Sequence, residues 1–88
     1  MRKLTKSEIK VLNQLYHMES MYTLQDETGL QYGELFDDLT NLISSRLIDV
    51  FDGASAVKPG FYDLDNLGDY HFRITRLGIS TLINSHGT

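Results

Sequence analysis

The residues of this chain that could carry chemistry are few, and most of them are acidic. Asp63-Leu64-Asp65-Asn66-Leu67-Gly68 has the opening of a calcium loop, with acids at the first and third positions and glycine at the sixth. A hard cation would take those carboxylate oxygens, but the fifth position is Leu67, and the twelfth, where a bidentate glutamate is needed, is Ile74. No calcium site is expected there. His17, His71 and His86 show no paired spacing for a metal, and there is no cysteine to act as thiolate ligand or nucleophile. No local motif joins a nucleophile to a base and an orienting acid, and no glycine-rich phosphate loop occurs. The expectation is a protein that works by binding, is not an enzyme, and uses no metal or other cofactor.

Charge is distributed unevenly. Residues 1–10 carry Arg2, Lys3, Lys6 and Lys10 against Glu8, a net +3. Residues 31–69 set only Arg46 and Lys58 against Glu34, Asp37, Asp38, Asp49, Asp52, Asp63, Asp65 and Asp69, a net −6. The middle of the chain therefore repels polyanions, and only the N-terminal segment offers the basic patch on which nucleic-acid affinity usually rests. Phe61 and Tyr62 follow Pro59-Gly60 in a stretch without helical period. Large rings in such a stretch either fold back or meet a partner, and neighbours in an extended segment point to opposite sides. Phe61 and Tyr62 thus form a candidate protein interface, either with a second copy in a homodimer or with a different protein partner.

The elements that must position these residues follow from pattern. Eighty-eight residues suffice for one modest core, and a 41% hydrophobic, 23% charged composition is that of a folded chain, so one domain over 1–88 is expected. No apolar run approaches the ~20 residues that span a bilayer, and no export signal opens the chain. With cysteine absent, this fits a cytoplasmic protein without a membrane role. Thr5-Lys6-Ser7-Glu8 is a capping box, which starts a helix over about 6–18. Its apolar stripe comprises Ile9, Leu12 and Tyr16, with Val11, Leu15 and Met18 beside it. Met21-Tyr22 is long enough for one bridge, after which Thr23 caps a short helix through Thr28, and Gly29 ends it in the left-handed conformation. Apolar residues at 32, 35, 36, 39, 42 and 43 predict an amphipathic helix from Tyr32 to about Ser45. Residues 47–51 read as a strand running into Asp52-Gly53, and 70–74 as its antiparallel partner. Residues 54–69 form a long flexible tip. Thr75 then caps a last helix that has Leu77, Ile79 and Leu82 for packing.

This order, helix, bridge, short helix, turn, helix, strand, tip, strand, helix, carries a family pattern. Thr28-Gly29-Leu30-Gln31-Tyr32-Gly33-Glu34-Leu35, with Leu39, Leu42 and Leu47-Ile48-Asp49-Val50, and then Tyr70-His71-Phe72-Arg73-Ile74-Thr75-Arg76-Leu77-Gly78 and Leu82, resembles the MarR-like and PadR-like winged-helix transcriptional regulators over about residues 5–84. The resemblance implies an α+β winged helix-turn-helix. A three-helix core would hold the helix-turn-helix at about 23–45, a two-stranded β wing would span about 47–74, and a C-terminal helix would follow, with Gly78 letting that helix approach the sheet. It also implies a DNA-binding regulator whose recognition helix, 32–45, faces double-stranded DNA through Gln31, Tyr32, Glu34, Asp37, Asp38 and Asn41, with Thr40 beside them and Lys58 of the wing touching phosphate. The chain departs from that family at Asp37 and Asp38, where a basic pair is common, and at Arg46, where glycine is usual. The alternative expectation is a winged-helix protein-interaction module that has lost DNA binding.

Leu39 lies at the centre of the proposed helix-turn-helix core. Leu39→Ala should lower unfolding free energy by about 2–5 kcal/mol, a large share of the stability of so small a domain. Thermal denaturation with little change would show that the helix register is wrong.

Overall fold

In the computed structural model, which describes residues 3–86 with the side chain of His86 left out, the first helix begins where the sequence predicts. The Thr5 hydroxyl accepts from the Glu8 amide at 3.1 Å, and the Glu8 carboxylate accepts from the Thr5 amide at 2.9 Å, so α1 (Lys6–Asn13) opens on a complete capping box. It ends five residues earlier than expected, because Leu15 has a non-local obligation. The Leu15 side chain is buried, and its carbonyl accepts from the Ile74 amide at 2.8 Å. A helix running on would have turned that carbonyl along its own axis. Tyr16 and Met18, expected on the apolar stripe, are exposed as a consequence.

The chain then forms β1 (Glu19–Ser20), two residues before the expected bridge at Met21-Tyr22. The shift follows from the cap: Ser20 and not Thr23 is the N-cap, its hydroxyl accepts from the Thr23 amide at 3.2 Å, and α2 (Met21–Thr28) starts at once. Gly29 closes α2 with φ 73°, the left-handed residue foreseen for it. The third helix, α3 (Tyr32–Ser44), buries Leu35, Leu39, Leu42 and Ile43, as its periodicity predicts.

Three further strands complete an antiparallel sheet in the order β1-β4-β2-β3: β2 (Ile48–Asp52), β3 (Ser55–Ala56) and β4 (His71–Ile74). Strands β2 and β4 pair from Ile48↔Ile74 to Phe51↔His71, so the two strands expected from sequence are partners. The sheet has four strands, however, not the two of a simple wing. Gly53, at φ 63°, turns β2 back onto β3, and the Val57 amide reaches the Val50 carbonyl at 2.8 Å. Nor is 54–69 one flexible tip. Asp63 caps a 3-10 segment, Leu64–Asp69, which buries Leu67 in the core. The pattern missed it because a single buried leucine has no period.

The last helix, α4 (Arg76–His86), is capped by Thr75, whose hydroxyl accepts from the Gly78 amide at 3.0 Å. A Cβ on Gly78 would collide with the Leu47 carbonyl and lie 2.7 Å from Ile74 Cγ1, so only glycine permits this approach. Leu82 is buried, Ile79 is half-buried, and Leu77, expected to pack, is exposed. One continuous core, with Leu12, Leu24, Leu39, Phe72 and Leu82 among its members, joins the four helices to the sheet. No described helix is long and apolar enough to cross a membrane.

Helix α3 ends in a paired turn: the Arg46 amide donates to Ile43 O at 3.0 Å and the Leu47 amide to Leu42 O at 2.9 Å. Glycine is favoured at the middle of this turn, yet the chain has Arg46 at φ 60°. The left-handed conformation costs a residue bearing a Cβ about 1–2 kcal/mol, and glycine returns part of that through its freer unfolded state. Arg46→Gly should therefore stabilise the fold by roughly 0.5–1 kcal/mol, read as a melting temperature higher by a few degrees. A lower melting temperature would show that the Arg46 side chain contributes more than its backbone costs.

Candidate functional site

Helix α3 presents its N-terminal half outward, and most of the residues expected there are found there. Gln31, Tyr32, Glu34, Asp37 and Asn41 are exposed. Tyr32 is 55% exposed and stacks on the half-buried Phe36, with ring centroids 6.2 Å apart and planes 24° from parallel. The Thr40 hydroxyl turns back to the Asp37 carbonyl at 2.9 Å.

Asp38 is the exception, and its placement on the outward face is corrected. It stands three residues after Leu35 and four before Leu42, both fully buried, and helical geometry carries it inward with them. Only 8% of it is exposed, and its Oδ2 atom has no hydrogen-bond partner. Burial raises its pKa. The hydrogen bond from the Ser7 side chain opposes that shift, while the nearby charges of Glu8, Glu34 and Asp37 add to it. Glu8 is itself buried in its capping role. Asp38 is thus a carboxyl group packed where α3 meets α1, and Glu34 and Asp37 are the acids that α3 shows to solvent.

The segment after β3 treats its two rings differently. Tyr62 folds back and lines a hollow of about 200 Å³ with Ile43, Arg46, Ile48 and Val57, whereas Phe61 is 78% exposed. Lys58 is exposed, on the strand side of Phe61. Arg73 lies with its guanidinium carbon 5.4 Å from the centroid of Phe51, so that cation is engaged with the sheet.

The 3-10 segment adds what the sequence did not reveal. Leu64 and Asp65 meet Tyr32, Phe36 and Asp37 around an open hollow of about 410 Å³. A second hollow, of about 170 Å³, adjoins it and is lined by Tyr22, Tyr32, Asp65 and Asp69. Tyr32 and Asp65 line both, so the two hollows, together the groove, share a wall. Tyr22 is 72% exposed, and no lysine or arginine lines either half. The sequence signal is slight, two leucines among three acids from 63 to 69, and nothing local announces that Leu64 faces α3.

The acids that resemble a calcium loop have another task. Asp63 Oδ1 accepts from the Asp65 amide at 3.0 Å and Oδ2 from the Asn66 side-chain amide at 2.6 Å, so both oxygens hold the turn. Among the described residues no three histidines, cysteines or acids are grouped to hold a metal ion. His17 and His71 are exposed, and the side chain of His86 and all of Arg2 lie outside the described residues. No protein-family model, curated protein or solved structure matches the chain.

The raised pKa of Asp38 fixes the sign of a pH effect. The folded state holds the protonated form more readily than the unfolded chain does, so ionised Asp38 is a liability at neutral pH that fades as pH falls through its folded pKa towards 3.8. Asp38→Asn keeps an acceptor for Ser7 and removes the charge beside Glu8. It should melt above the wild type at pH 7, and the gap should narrow on acidification. A gap that did not change with pH would assign the effect to shape and not to charge.

Proposed function

We propose that the protein is a single-domain winged-helix module, not an enzyme, whose α3 face takes a positively charged segment of a protein partner in place of DNA. Support for the winged-helix reading comes from the element order, with two helices joined through Gly29 before a sheet and a closing helix, and from the sequence resemblance to winged-helix regulators. The observation that carries the functional reading is the composition of the exposed face. Tyr32, Phe36 and Leu64 meet solvent beside Asp37 and Asp65, and no cation lines the hollow between them.

Two physical consequences favour protein. A polyanion brought against Glu34, Asp37 and Asp65 loses the counterion-release term that supplies most non-specific affinity, and meets repulsion instead. Exposed aromatic side chains at a concave surface are the residues that anchor protein interfaces.

Double-stranded DNA is the second reading, favoured by the exposed amide side chains of Gln31, which precedes α3, and of Asn41 on it, and by exposed Lys58. Amides of this type bind adenine edges, and a lysine beside the sheet would meet phosphate. A titration of labelled mixed-sequence duplex across a salt series separates the two. The protein-binding reading expects no saturable binding at protein concentrations up to about 10⁻⁴ M at physiological salt, the weak end of ordinary non-specific association. It also expects Glu34→Gln with Asp37→Asn to strengthen whatever binding appears at low salt. Tight duplex binding lost in Asn41→Ala and Lys58→Ala would assign the face to DNA.

A further inference from the structure

Resting on the protein-binding reading, we propose that the groove has two subsites and takes an extended partner segment with a large aliphatic side chain two residues from a lysine or arginine. The aliphatic side chain enters between Phe36 and Leu64. The cation enters between Tyr22 and Tyr32, facing Asp65 and Asp69.

The division follows from what lines each half. The wider hollow has Phe36, Leu64 and the Tyr32 ring as its apolar surfaces, with Gly33 contributing no side chain. It lies on the most strongly amphipathic helix, where an apolar group buried from water is favoured in proportion to its area. The narrower hollow has two tyrosines and two aspartates beside Met21, Gln25, Asn66 and Gly68, and no cation. A lysine or arginine there meets both aromatic faces and carboxylates, the combination that holds a cation in a partly desolvated site. The Tyr22 hydroxyl lies over Gly68, 3.3 Å from where a Cβ on that residue would stand. The shared wall of Tyr32 and Asp65 sets the two subsites side by side. In an extended segment the side chains that enter one surface side by side are residues i and i+2. Charge complementarity commits the occupant: a segment without a cation would leave Asp65 and Asp69 facing it unpaired, and a nucleic acid would be repelled by them.

Gly33 provides a plug. A Cβ at that position meets nothing within 4 Å and Gly33 lines the wider hollow, so Gly33→Leu sets an aliphatic side chain at the apolar subsite, with better helix propensity. Asp65→Asn with Asp69→Asn removes the cation subsite and leaves the Asp63 cap in place.

The test uses fluorescein-labelled peptides flanked by glycine and serine. One repeats leucine-serine-arginine, a second has alanine for leucine at equal charge, and a third has glutamine for arginine. Polarisation gives affinities, and amide shifts of the ¹⁵N-labelled protein locate the contact. The leucine-serine-arginine probe should bind at least tenfold more tightly than either control and should shift Tyr22, Tyr32 and Asp65. Gly33→Leu should abolish that binding with an unchanged or higher melting temperature, and the double asparagine variant should weaken it at least tenfold. If the arginine-alanine probe binds the same residues equally well, attraction is merely electrostatic and the two-subsite proposal is overturned while the protein-binding face stands. If no probe shifts α3 while duplex DNA does, both the proposal and the reading beneath it fall. Shifts in the groove that grow with protein concentration alone would assign it to a second copy of the chain, which also overturns the proposal.

Discussion

Helix ends leave carbonyl groups without intrahelical partners, and where such ends are buried another part of the chain must satisfy them. Here residues 74 and 75 do so for two helices at once. The Ile74 amide donates to Leu15 O just beyond α1, the Thr75 amide donates to Leu47 O at 2.9 Å, and the Thr75 hydroxyl donates to Arg46 O at 2.8 Å. Thr75 also caps α4, so a single residue closes one helix end and opens another. The angle of α3 to the sheet, and with it the face that α3 turns outward, is set by this junction. Gly78 is its steric counterpart, since any larger residue would push α4 off the Leu47 carbonyl.

That dependence explains which parts of the fold were legible in the sequence. Local signals were sufficient where local physics decides. The Thr5/Glu8 capping box, the left-handed Gly29, the apolar spacing of α3 and the antiparallel pairing of 47–51 with 70–74 are found, the last over 48–51 and 71–74. Failures cluster where a distant residue decides. Nothing between 14 and 18 reveals that Leu15 will give its carbonyl to Ile74, so α1 was extended too far and β1 placed two residues late. Leu67 is one residue with one burial site, and no periodicity test detects a singleton.

The candidate site was half legible. Its α3 half follows from helical spacing, and the same spacing, three residues from Leu35 and four from Leu42, turns Asp38 inward. Its other half, Tyr22 and Leu64, comes from segments that periodicity cannot relate to α3. The acidity of the chain's middle, by contrast, was plain from the start and divides on folding into three uses. Asp38 is packed inside, Asp63 holds a turn, and Asp37 and Asp65 line the groove. The same residue type thus stands in the core, in a turn and on an exposed concave wall within one short stretch.

The strand order has a consequence for how this molecule meets others. The sheet's two edges are β1 and β3, each two residues long, while the longer β2 and β4 lie inside. An exposed strand edge is a template on which any extended chain can add itself, through backbone hydrogen bonds that are indifferent to sequence. Here that template is too short to use, bounded by α2 on one side and by the Val57–Pro59 stretch on the other. Edge-to-edge aggregation and strand addition are suppressed together. Whatever associates with this protein must be selected by side chains, which makes discrimination among partners a property of its surface chemistry and not of its backbone.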